Sequence, residues 1–356
     1  MAVVRGGGIR LGLTERLALR DAASVTALLA VAVWAGSGRF AFFDPALAGY
    51  LGATLVAAFG TTYRLSAFWR RPASAVYARA LAHGLRAPRQ AWTVVRAAGR
   101  DLAAQRFVAR RSRARWAAHL LLSLGTMASV AITVPLVCGW MHFVADGGAI
   151  YRVIVFGLPL GRFAIAGPLG WVVFHALALA AVAVVAGAGY FLALRLRTRA
   201  LPGVTSSFHV GPLVLLLAVA LSGLALPATR GSATLFLLAA RLHEAVVVVL
   251  LVGLPFSKLG HVLVRPLHLG AQLVRAPGAR RTTCAGCGAA LAPVAQQAAV
   301  ERLLAARGFR FDDHQRHCPA CRRRLVATAQ SALLGAHFQP RTAGARPASP
   351  SRDQAA

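Results

Sequence analysis

Acidic residues are scarce in this sequence: ten Asp and Glu stand against forty Lys and Arg in 356 residues. No paired-carboxylate site for acid–base chemistry stands out, nor does a Ser/His/Asp set or a phosphate-binding loop. Lysine is nearly missing too, because Lys258 is the only one, so the positive charge is arginine, as a GC-rich genome would encode. Charged residues of both signs reach only 14%, against 57% hydrophobic, which excludes an ordinary soluble domain and points to several membrane spans. No cleavable signal is evident either, since MAVVRGGGIRLGLTERLALRD carries charges throughout. Cysteine is limited to five, four of them in two CxxC pairs.

A net charge of +30 could mark a nucleic-acid binder. Here the arginines cluster between apolar stretches, as in the cytoplasmic loops of membrane proteins, so no nucleic acid is expected. A span needs about 20 apolar residues. Six segments qualify, near 22–38, 47–67, 116–140, 169–194, 210–226 and 233–254. A seventh stretch, YRVIVFGLPLGRFAIAG at 151–167, is interrupted by two arginines, a proline and glycines; it reads as an extramembrane or interfacial segment. The fold class expected is therefore all-α, a polytopic membrane helical bundle of about six spans. Between Phe68 and Arg115 the chain carries twelve arginines, whereas 141–168 holds only Arg152 and Arg162. The positive-inside rule then places the first of these loops, and both termini, in the cytoplasm of a cell whose inner membrane the chain crosses.

Histidines within apolar segments are costly and carry the functional signal. His243 and His261 lie 18 residues apart in RLHEAVVVVLLVGLPFSKLGH. On one continuous helix that spacing is about five turns, so both rings would leave the same face about 27 Å apart. His119 enters its span from the cytoplasmic side, level with His261, and His175 enters from outside, level with His243. Two pairs at two depths suit the axial ligation of two b-type haems better than one metal centre, which gathers its ligands at a single depth. His209 could replace His119 as the partner of His261. His142 and His268 read as interface or loop residues, and Cys138 as a small core residue.

The fragment LPFSKLGHVLVRP, with a histidine 18 positions upstream, resembles the last haem-binding helix of the gamma subunit of membrane-bound respiratory nitrate reductase and of cytochrome b subunits of heterodisulfide and sulfite reductase complexes. The likeness covers about residues 105–270. In the nitrate reductase subunit the other two ligands lie ten residues apart on one helix; here position 129 is Ser129, so the partner of His243 moves to another helix, with GWVVFHALALAAVAVVAGAGY making His175 the substitute. The resemblance implies electron transfer between the quinone pool and a cytoplasmic iron-sulfur or molybdenum subunit, with quinone or quinol as substrate. Arg115, Arg241 and Arg265, near helix ends, could pair with haem propionates, each with snorkelling as its plain alternative.

The tail holds a second signal. Cys284 and Cys287 form one CxxC pair and Cys318 and Cys321 another, with VAQQAAVERLLAARGFRF between them reading as a helix and an extended segment. Four thiolates in a reducing compartment suit tetrahedral zinc in a small cytoplasmic zinc-ribbon-like module, with a rubredoxin-type iron site as the alternative. His314 and His317 are left out, because four cysteines already satisfy the metal.

The domains expected are 1–69, an N-terminal segment with two spans; 70–115, a basic loop; 116–270, a four-helix haem-binding domain; 271–336, the zinc-ribbon-like module; and 337–356, a disordered tail. Two functions follow. One is the dihaem cytochrome b subunit of a quinone-linked oxidoreductase, its zinc module docking the catalytic subunit. The other is a haem-free transporter or signalling protein with a zinc-ribbon interaction module.

Overall fold

A computed structural model describes residues 12–198, 210–276, 278–309 and 314–335. His209 and the tail expected to be disordered lie outside the described residues. The chain divides into a unit ending at Leu273 and a second beginning at Val274.

Five helices of the first unit are long and apolar enough to cross a membrane. They are α1 (Leu13–Gly36), α6 (Arg113–Val137), α7 (Pro168–Thr198), α8 (Gly211–Ala228) and α9 (Ala233–Gly253). The remaining expected span forms α2 (Ala48–Arg70), 23 residues long but diluted by glycines, hydroxyl side chains and Arg64. Apolar side chains cover the outside of the bundle: Leu28, Met127, Val182, Leu221 and Leu238 are each more than half exposed. An apolar exterior of this size is the surface a lipid solvent requires.

The inside is built from small residues. Ala18, Ala22, Ala53, Ala57, Ala118, Ala180 and Ala188 are buried, and they let backbones approach, the usual source of helix association where lipid removes the hydrophobic drive. The backbones of α6 and α7 approach closely. A Cβ at Gly187 would stand 2.5 Å from the Ala118 carbonyl oxygen, and one at Gly125 would stand 2.7 Å from that of Ala180. From there the packing runs α6 on α7, α7 on α8, α8 on α9, α9 on α2 and α2 on α1. At the end where α2 stops, Asp21 of α1 accepts a hydrogen bond from Ser66 at 2.6 Å and pairs with Arg70.

Segment 70–115 is helical. Pro72 and Pro88 occupy first-turn positions of α3 (Pro72–Arg86) and α4 (Pro88–Ala98), where a missing N–H costs nothing. A π-turn at Gly99–Ala103 and the short α5 (Arg106–Ala109) lead to α6, whose first turn is capped by Ser112. The arginines of α4 share its surface with exposed Trp92 and Val95, the amphipathic pattern of a helix at a membrane interface.

Two expectations are corrected. The segment between α6 and α7 is a three-stranded antiparallel sheet, β1 (Met141–Ala145), β2 (Ile150–Val155) and β3 (Leu158–Ala164), so the unit is not purely α. Its β-branched YRVIV run folds back at Phe156 and Gly157, whose φ values of 51° and 79° fit a two-residue hairpin turn matched to strand twist. Asp146 pairs with both Arg152 and Arg162, the second at 2.7 Å. The other correction concerns His243 and His261, which do not share one helix. Pro255 lies in a 3-10 turn (Leu254–Phe256) and Ser257 is extended, so α9 ends before His261 opens the separate α10 (His261–Val264). A further helix, α11 (Leu267–Val274), packs close to α3, its Gly270 against the Tyr77 backbone.

In the second unit β4 (Arg281–Thr283) and β5 (Ala290–Pro293) form a hairpin, followed by α12 (Val294–Ala306) and α13 (Pro319–Leu333). The helix expected between the CxxC pairs is α12.

Gly187→Val places a side chain between two backbones, an overpacking that costs about 1–3 kcal/mol. Its thermal midpoint in detergent is expected to fall, while that of Gly189→Val, where an added Cβ meets nothing within 4 Å, is expected to change far less.

Candidate functional site

A cavity of about 740 Å³ opens at the bundle end where α2 and α7 finish and α6 and α8 begin. That volume lies within the range of small-molecule and cofactor sites. His119 of α6 and His261 of α10 both line it, so the pair expected at the cytoplasmic depth is brought to one chamber. The walls are mainly apolar, with Phe68, Leu122, Phe191, Leu213 and Leu216, and two cations stand among them, Arg64 and Arg195. The turn at Pro255 and Ser257 produces this arrangement, since it carries His261 off the end of α9 and over the cavity.

His119 is held from behind. Its Nδ1 hydrogen-bonds the Oε1 of Gln105, and Gln105 Nε2 donates to Ser123 Oγ at 2.7 Å. Gln105 is buried in the left-handed conformation, φ 50°, and the preceding Ala104 carbonyl accepts from Trp116 Nε1 at 2.7 Å. The chain just before α6 is thereby fastened to the helix it introduces.

The other expected pair is not brought together. His175 is exposed on α7, its ring stacked 4.7 Å from that of Trp171 and its Nδ1 donating to the Trp171 carbonyl at 2.8 Å. His243 lies 2.9 Å from Ser222 Oγ and against Gly223, both on α8. His175 is thus engaged within α7 and His243 with α8. Depth along a helix is readable from sequence, but the direction a ring faces is not. His142 lies on β1, stacked on Phe42, and Cys138 is buried.

Arg241 pairs with Glu244 at 3.0 Å, Arg265 stacks on Phe107 and Arg115 is exposed. Among the described residues the cations lining the cavity are Arg64 and Arg195. Arg64 had a usable signal, since a charge inside a span is functional by default. Gln105 had none, because a lone glutamine in an Ala- and Arg-rich run looks like solvated surface.

In the second unit the four cysteine sulfurs lie within 4.8 Å of one another, a cluster able to hold a metal ion. Cys287 and Cys318 Sγ are 3.7 Å apart. Tetrahedral zinc with sulfurs at roughly 2.3 Å sets them about 3.8 Å from each other, so the spacing fits, whereas a disulfide needs about 2.05 Å. The first knuckle is the turn after β4, where Gly288 takes φ 70° and donates to the Cys284 carbonyl at 2.9 Å. The second is the N-terminus of α13 instead of another hairpin, because Pro319 begins a helix capped by Cys318, whose sulfur accepts from the Cys321 N–H. The Cys318 and Gly286 N–H groups donate to Cys284 Sγ at 3.2 and 3.4 Å.

These amides favour thiolate. The Cys318 N–H holds the Cys284 thiol down to about 6, and the Cys321 N–H lowers that of Cys318. Cys321, hydrogen-bonded to the sulfurs of Cys318 and Cys287, is pushed up to about 12. Like charges this close repel, and a cation among them would offset that repulsion.

Comparison of the chain with family models, with curated proteins and with solved structures returns no match.

The cluster is expected to bind one metal ion per chain, and Cys284→Ser to lose it, by elemental analysis of purified protein. Since the Cys284 thiol is lowered from 9.0 to about 6, its preference for thiolate is complete above pH 9 and is lost as the pH falls through about 6. Metal occupancy is expected to fall as the pH is lowered, because protons compete with the ion for the sulfurs.

Proposed function

We propose that the chain is a b-type cytochrome, the membrane electron-transfer subunit of a quinone-linked oxidoreductase. The observation that carries this reading is the meeting of His119 and His261 at one apolar-walled cavity. Among the described residues two imidazoles and no acidic residue line it, a donor set that suits the axial ligation of haem iron. When bound, haem supplies a one-electron carrier that the side chains alone cannot. The chain's own residues do the rest. His119 and His261 would hold the iron. Arg64 and Arg195 would offset the negative charge of the propionates, as guanidinium groups commonly do for carboxylates. Phe191, Leu122 and Leu216 would keep water from the bound group and hold the dielectric low, which tunes the potential.

The proposal takes one haem from this cavity. A second would require His175 and His243 to leave the Trp171 carbonyl and Ser222, which they hydrogen-bond here. We place α2 as the sixth span, which gives cytoplasmic termini in the inner membrane and puts the cavity at the cytoplasmic end. Electrons would then pass between quinol and an iron-sulfur or molybdenum partner in the cytoplasm. In the tail, the sulfur spacing and the mixture of a turn and a helix N-terminus support structural zinc, in a module that serves to dock that partner. The resemblance of LPFSKLGHVLVRP to haem-binding helices of quinone-linked cytochromes points the same way.

Reduced-minus-oxidised spectra and haem assays of the purified full chain test this. One haem per chain is expected, lost in His119→Ala and in His261→Ala and retained in His175→Ala. A folded protein with no b-type α band would overturn the reading in favour of the haem-free transporter or signalling protein. Two haems per chain, one of them lost with His175, would restore the second pair.

A further inference from the structure

An imidazole binds a metal only through a nitrogen that carries a lone pair, and which nitrogen that is depends on the hydrogen bond made by the other. At His119 a run of hydrogen bonds decides it. Ser123 has a single hydroxyl proton, which it donates to the Leu120 carbonyl at 3.3 Å. Its Oγ therefore accepts from the Gln105 side chain, 2.7 Å away, and the group that Gln105 presents there must be the amide nitrogen. The amide oxygen is then the atom against His119 Nδ1. An amide oxygen only accepts, so Nδ1 carries the proton and Nε2 keeps the lone pair.

The structure secures Gln105 in this duty. It is buried, and both ends of its amide are used. Its left-handed backbone is unfavourable for a residue with a side chain. What holds that backbone is Trp116, three residues before His119 on α6, which donates to the Ala104 carbonyl. The same helix face thus presents the histidine and grips the loop that orients it.

We propose that Gln105 is a positioning residue for His119: it fixes the Nδ1–H tautomer, leaves Nε2 for the ligand in the cavity, and sets how strongly the imidazole donates. The inference rests on the haem reading of the cavity. A better acceptor at Nδ1–H makes the ring more electron-rich and favours ferric over ferrous iron; loss of the acceptor does the reverse.

Redox titration of the α band in the purified full chain tests this with two substitutions of similar size. Gln105→Leu removes the acceptor and is expected to raise the midpoint potential. Gln105→Glu replaces the amide oxygen with a carboxylate oxygen and is expected to lower it, with haem content retained. Opposite shifts about the wild type support the proposal, because damage to packing alone would not reverse sign between the two. Shifts in the same direction, or none, would overturn it. If Gln105→Leu holds no haem, the glutamate variant decides, and a potential equal to or above wild type sinks the idea. A haem-containing wild type with unshifted variants would refute this inference alone, whereas a wild type without haem would refute the reading of the cavity as well.

Discussion

The contact between the backbones of α6 and α7 positions most of what matters in the membrane unit. Gly187 lies against the Ala118 carbonyl and the Leu122 amide with no room for a side chain. One residue past Ala118 comes His119. One and two turns past Gly187 on α7 come Phe191 and Arg195, both at the cavity. A single close approach therefore sets the distance between a histidine-bearing wall and a wall that carries an aromatic ring and a cation. The contact needs nothing polar, and it works in lipid because small residues give the backbones room to touch.

The second determinant is a failure of regularity. An uninterrupted helix through 243–261 would send His261 along the axis of α9. Pro255 and the extended Ser257 end the helix instead, and the chain resumes as α10 over the mouth of the cavity. Irregular backbone at or near membrane depth is tolerated where it lines a cavity, and here it lines this one. The four-thiol cluster follows a similar principle in miniature, since its amide donors come from a turn and a helix start, both of which leave N–H groups unspent.

Much of this was legible in the amino-acid order because length and apolarity are local properties. The long apolar runs and the two CxxC pairs needed no tertiary knowledge. His119 and His261 could be matched because depth follows from distance to a span end. What failed required direction or context. The YRVIVFGLPLG run reads as an extramembrane or interfacial segment, but that it forms a hairpin depends on its Phe-Gly turn and its strand pairing. His175 and His243 share an expected depth, yet each ring faces its own neighbour. Gln105 gives no sign in its own segment, because its role comes from Ser123 and His119, which reach it only once α6 has formed.

The sheet between α6 and α7 pairs both of its arginines with Asp146, and 141–168 has a net charge of +1. Segment 68–115, in contrast, sets twelve arginines against the single Asp101. In the proposed orientation this difference acts against the electric field of an energised membrane. Carrying one elementary charge across costs about 2.3 kcal/mol per 100 mV. Inverting the protein would drive the arginine-rich segment outward against a negative interior and recover almost nothing from the near-neutral sheet. In that orientation the membrane potential itself would oppose turning the molecule over.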